Sequence, residues 1–157
     1  MASLTMVALL LEASDALIKE RPRSSTFRRR AVGTAYYAVF HSLAKLCADT
    51  LLQSADRDTE EYARIYRALE HGSLKAAFGK EPLRDRETLR RIGDIVVALQ
   101  SERHRADYLP PVKNVFSIRD AEILVSQARQ VVSESEGLGF QDRLTLATCL
   151  LFRGRQS

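Results

Sequence analysis

Apolar residues recur at every third or fourth position along almost the whole chain, and no stretch carries the alternation of a β-hairpin. A period near 3.6 places such residues on one face of a helix, so the sequence predicts an all-α fold, an up-and-down bundle of about five main helices. Breakers and caps divide it. Leu4, Val7, Ala8, Leu11 and Ile18 mark a first amphipathic helix that Pro22 closes. Ser24 or Ser25 can cap a long second helix reaching about Leu52, with a stripe through Tyr37, Phe40, Ala44, Cys47 and Leu51. After the polar turn "QSADRDTEE", Asp58 or Thr59 can cap a third, built on Tyr62, Ile65, Tyr66 and Leu69 and stopped at Gly72. A short helical piece through Leu74 and Phe78 follows. A fourth long helix runs from about Asp85 to Tyr108, and Pro110 and Pro111 prevent its continuation. Ser117, three residues before Asp120, forms a capping-box variant that opens a fifth helix through Leu124, Val125, Ala128 and Val132. Gly137 and Gly139 break it, and the tail "RLTLATCLLF" reads as a last helix in preference to an edge strand. Leu144, Leu146, Leu150, Leu151 and Phe152 give that tail more apolar surface than five helices obviously need, which predicts a symmetric homodimer.

A chain of 157 residues can bury its own core, so residues 1–157 are expected to form a single domain. Its net charge of +4 permits an anionic partner without demanding one. Cys47 and Cys149 are isolated, and His41, His71 and His104 lie far apart, so neither a disulfide framework nor a metal site is expected. No glycine-rich phosphate loop and no GxSxG elbow occur, and no cofactor is implied. The apolar N-terminal stretch has no basic residue before it, and Glu12 and Asp15 follow closely, which argues against a signal peptide. No run approaches the roughly 18 apolar residues of a membrane span. A cytoplasmic protein that acts through helix surfaces is the expectation.

Two such surfaces stand out. "RRRAVGTAYYAVFHSLAKL", residues 28–46, carries Tyr36, Tyr37, Phe40 and His41 behind three arginines, and no acid interrupts the chain from Arg21 to Ala48. Aromatic residues at helical spacing usually pack into a core. Cations at a helix N-terminus oppose the helix dipole, however, so the arginines call for an anion. The second surface is "ERHRADY". The stripe of Leu89, Ile92, Val96 and Leu99 continues onto Arg103, with Asp107 one turn on, and His104 and Tyr108 pair on a neighbouring face. Arg103 and Asp107 fit either a structural ion pair or a site.

These stretches, with "ALEHGSLKAAF" between them, resemble in order three marks of the HEPN family, small prokaryotic helical proteins of the higher-eukaryote and prokaryote nucleotide-binding type. The resemblance covers about residues 24–133. It implies a bundle of four to five helices, often homodimeric, with polar residues lining a cleft near the dimer axis. Many members are metal-independent ribonucleases of toxin–antitoxin or defence systems; others bind RNA or nucleotides without cutting, or act as helical partners of a minimal nucleotidyltransferase. Carried over by position, Arg103 is the motif arginine, Asp107 and Tyr108 its polar end, and Tyr37 and His41 the facing helix. The sequence departs from the nuclease pattern of an arginine and a histidine with some four to six residues between them, because beyond the adjacent His104 no histidine follows Arg103. The single formal match, Arg64 to His71, is of a kind expected by chance. The catalytic candidates are therefore Arg103, Asp107 and Tyr108, with His104 or His41 in place of the missing base. The candidates for nucleic-acid contact are Arg23, Arg28, Arg29, Arg30, Tyr37 and His41.

Overall fold

Side-chain caps set most helix starts. The computed structural model describes residues 5–53, 56–111 and 114–152. Thr5 accepts from the Ala8 amide and opens α1, Met6–Glu20. Ser24, rather than Ser25, accepts from the Phe27 amide and opens α2, Ser25–Leu51. Thr59 does the same for α3, Glu60–Ala68, through the Tyr62 amide. Ser117 and Asp120 bond reciprocally to each other's amides, the capping box read from the sequence, at the start of α6, Ile118–Glu136. Between these lie a 3₁₀ turn at His71–Ser73, the short α4, Leu74–Phe78, and the long α5, Glu87–Tyr108. The tail forms α7, Phe140–Leu151. Seven α-helices and no strand occur among the described residues. Leu4 of the first stripe and Ser54 and Ala55 of the polar turn lie outside them, as do residues 153–157.

Packing is organised around α2, which touches α1, α3, α5, α6 and α7. A helix surrounded in this way has no single apolar stripe. Val32, Ala35, Tyr36, Val39, Leu43 and Cys47 are all buried, while Tyr37 is 39% exposed. Of the predicted stripe, Ala44 and Cys47 are buried and Phe40 and Leu51 pack against the core; only Tyr37 departs, since the fully buried ring is Tyr36. On α5 the stripe behaves as read: Leu89, Ile92, Val96, Leu99 and Ala106 are buried. The third helix ends at Ala68, before the expected stop, and Gly72 sits within the 3₁₀ turn. In the tail Leu146 and Leu150 join the core and Leu144 and Leu151 are half-buried, leaving Phe152 as the exposed apolar group of that set. The surplus surface from which a dimer was expected is thus mostly internal.

Candidate functional site

The N-terminal half of α2 and the C-terminal end of α5 meet at residues 26–37 and 103–109. A groove of about 420 Å³ lies between them, lined by Thr26, Arg29, Arg30, Gly33, Thr34, Tyr37, Ala106 and Asp107. On α2 these residues fall in two rows at steps of four, 26–30–34 and 29–33–37, as one helical face requires.

Three consecutive arginines of α2, the last two of which line the groove, do different things. Arg28 is 4% exposed. It donates from Nε to the Phe116 carbonyl at 2.8 Å, from Nη1 to the Pro22 carbonyl at 2.7 Å, and from Nη2 to Asn114 Oδ1 at 3.3 Å. Arg29 donates from Nε to the Ala106 carbonyl at 2.6 Å and from Nη2 to the Leu109 carbonyl. Its charge thus lies at the C-terminal end of α5, where carbonyls left over by the helix and its dipole favour a cation. Oxygens of other segments hold these two guanidinium groups, so the expectation that the three arginines call for an anion is corrected for Arg28 and Arg29, which have internal acceptors. Arg30 is exposed and has no acidic or carbonyl partner among the described residues, and the same holds for Arg23. Arg21 lies over the Phe27 ring at 5.4 Å.

Arg103 is the hub on α5. Its side chain is only 16% exposed; Nη1 meets Asp107 Oδ2 at 3.2 Å, and its Nε is buried without a hydrogen-bond partner among the described residues. The guanidinium carbon stands 5.2 Å from the Tyr36 ring centre and 5.6 Å from that of Tyr37. Two aromatic faces and one carboxylate therefore compensate the buried cation.

The structure adds His71, which the sequence had set aside with Arg64. Its Nδ1 lies 2.7 Å from the Tyr36 hydroxyl, and its ring stacks on Phe40 at 3.8 Å and 18°. The His71 carbonyl accepts from Gln100 Nε2 at 2.6 Å, which ties the 3₁₀ turn to α5. Burial, then the charge of Arg103 and then that of His41, hold the His71 pKa below the ordinary histidine value, so its imidazole is neutral at pH 7. Burial pushes the Tyr36 phenol up to about 12, partly offset by Arg103, so its hydroxyl stays protonated. The signal for His71 was present in "ALEHGSLKAAF", but its pairing with Tyr36 spans 35 residues and follows from no local spacing.

The remaining candidates are dispersed. His41 turns toward α3, where Nδ1 meets the Tyr66 hydroxyl at 2.6 Å, and burial lowers its pKa. His104 and Tyr108 lie against each other at 4.7 Å on exposed surface, and Tyr108 is 69% exposed. His104 shares with Gln100, Ser101, Arg103 and Arg105 a shallower concavity of about 460 Å³ that excludes Tyr108. The structure thus joins Arg103, Asp107 and Tyr37, adds Tyr36 and His71, and leaves the His104–Tyr108 pair outside the main groove. Cys47 is buried and its thiol is pushed up to about 12 by burial, while Cys149 is half-buried; both are free. Among the described residues no cluster of His, Cys, Asp or Glu is placed to hold a metal ion, and no helix is long and apolar enough to cross a membrane. No known family model matches the chain, and no curated protein or solved structure matches it.

Proposed function

We propose that the protein is an HEPN-like helical bundle that binds RNA or a nucleotide in the groove between α2 and α5, as a component of a toxin–antitoxin or defence system. The observation that carries the binding is a free guanidinium, Arg30, and a partly exposed ring, Tyr37, lining one groove beside the Arg103 cation. Phosphate attracts the first and a base the second. The ordered resemblance of the three sequence stretches supports the family and the cellular setting.

Cleavage is the narrower part of this reading, and it falls to His71 in place of the histidine missing after Arg103. In the tautomer that donates from Nδ1 to the Tyr36 hydroxyl oxygen, the neutral imidazole leaves Nε2 to accept a ligand proton, and Arg103 supplies positive charge for a phosphate. A labelled single-stranded RNA incubated with the protein in EDTA tests both parts. Retention on a filter that R30Q abolishes supports binding, and shortened products lost in H71A support cleavage. No retention at low salt would end the proposal. The second reading, a helical partner of a nucleotidyltransferase, draws on Phe140 and Phe152, exposed at the two ends of α7. Tight co-purification of such an enzyme, with no RNA retained, would favour it.

A further inference from the structure

We propose that the groove takes one unpaired nucleotide at a time, its base laid on Tyr37 and its phosphate on Arg30. This rests on the RNA- or nucleotide-binding reading above and adds to it the strandedness of the ligand and the residue that reads it. Three neighbours hold the Tyr37 ring: the Arg103 guanidinium lies over it at 5.6 Å, Tyr36 meets it at 5.8 Å and 62°, and His71 at 6.0 Å and 90°. A ring so held, with part of its surface in a groove, offers a rigid platform that orders little on binding.

The space beside that platform comes from Gly33, one turn earlier on the same row. A β-carbon built there would find Asp107 Oδ1 at 3.8 Å as its nearest neighbour, so any long side chain at 33 would fill the room that a base needs. Arg30 lies seven residues before Tyr37, about 10 Å along the helix axis, close enough for its extended side chain to meet the phosphate of a base resting on Tyr37. Thr26 and Thr34 flank Arg30 at one turn on either side, and the Thr34 hydroxyl, on the Tyr37 side, can donate to the same phosphate. The Asp107 carboxylate lies beside Gly33 and can accept from an amino or hydroxyl group at the edge of the base, with its charge matched by Arg103.

A duplex cannot use this arrangement. Its base faces are covered by their neighbours in the stack, and sequence-tolerant stacking on a side chain is a property of single strands and splayed bases. A groove of about 420 Å³ can enclose about one nucleotide.

Fluorescence anisotropy with a labelled twelve-residue oligoadenylate, the same strand annealed to oligouridylate, and AMP as competitor tests the inference on the whole protein. The single strand should bind about tenfold or more tightly than the duplex, a comparison that needs no variant. Y37L should weaken strand binding about tenfold, the order expected for one stacked base, and Y37F should bind within about threefold of wild type. Competition by AMP at the strand's own concentration range assigns the site to free nucleotides, and competition only at far higher concentration assigns it to RNA; either supports a base-and-phosphate site. Duplex binding equal to that of the single strand, or Y37L binding unchanged in a protein of unchanged helicity, overturns the inference while R30Q still reports on the groove. Absence of binding by every probe overturns the RNA-binding reading itself.

Discussion

Arg28, Arg29 and Arg30 are neighbours on α2, yet a charge reversal or truncation at each meets a different environment. Arg28 bonds two carbonyl oxygens and an amide oxygen from within the protein, and truncation leaves those acceptors buried without it. Hydrogen bonds from a charged donor contribute about 1.5–3 kcal/mol each, and of the three here the one to Phe116 is buried and the other two are partly so. R28A should therefore lower unfolding stability by about 3 kcal/mol, measured by urea titration, whereas R30A should stay within about 0.5 kcal/mol of wild type. Equal stability of the two variants would contradict the assignment of Arg28 to the scaffold. The same scale governs pH. His41 and His71 both titrate below the ordinary value of 6.5 in the folded protein. The unfolded chain then takes up protons first on acidification, so the stability these groups confer is full above about 6.5 and is lost as pH falls through that value toward their folded pKa. The urea midpoint should be lower at pH 5.5 than at pH 7.5, and H41Q or H71Q should each flatten the difference. Identical midpoints at both pH values in the unmodified protein would contradict the environments described.

At the level of elements, α4 is a five-residue helix that could not persist alone, because nucleation of so short a segment is unfavourable. It is held by Leu74 and Phe78, both buried, and by the absence of a side chain at Gly93 of α5. A β-carbon at Gly93 would lie 2.5 Å from Phe78 Cδ1 and 3.0 Å from its Cβ, so the whole ring, and not only its tip, stands in the way. G93A gains about 1 kcal/mol of helix propensity and loses about 1–3 kcal/mol to overpacking; the net result should be a lower melting temperature, recovered in part by adding F78L. A more stable G93A would show that α4 yields without cost. The helices themselves were legible because their ends are local: Ser24, Thr59 and Ser117 cap within three residues of their own positions. The face that α2 buries was not, since a stripe presumes one-sided burial and α2 has neighbours nearly all round. The difference is a single residue, Tyr36 for Tyr37, and it decides which ring stabilises the core and which is offered to a ligand.

Across the whole molecule, what the sequence could not reach was the convergence of distant segments. Arg103 with Asp107 was legible from a four-residue spacing, and Tyr37 from its helix, but His71 reaches Tyr36 only because the 3₁₀ turn folds back over α2 and is pinned by Gln100 of α5. The same convergence absorbs charge. With Arg28 and Arg29 engaged by carbonyls and Arg21 laid over the Phe27 ring, the cations left to meet phosphates are Arg30, Arg23 and the partly exposed Arg103. Each phosphate neutralised on a single strand adds about −0.7 to the slope of log K against log salt. Three contacts give a slope of about −2, while contact through all five arginines between positions 21 and 30 would give about −3.5. Binding isotherms for a single-stranded RNA between low and physiological salt should therefore yield the shallower value. R30Q should reduce its magnitude by about 0.7 and R29Q should leave it unchanged. A slope near −3.5, with R29Q reducing it as much as R30Q, would place the carbonyl-bound arginines on the RNA face and separate them from the scaffold they are seen to hold.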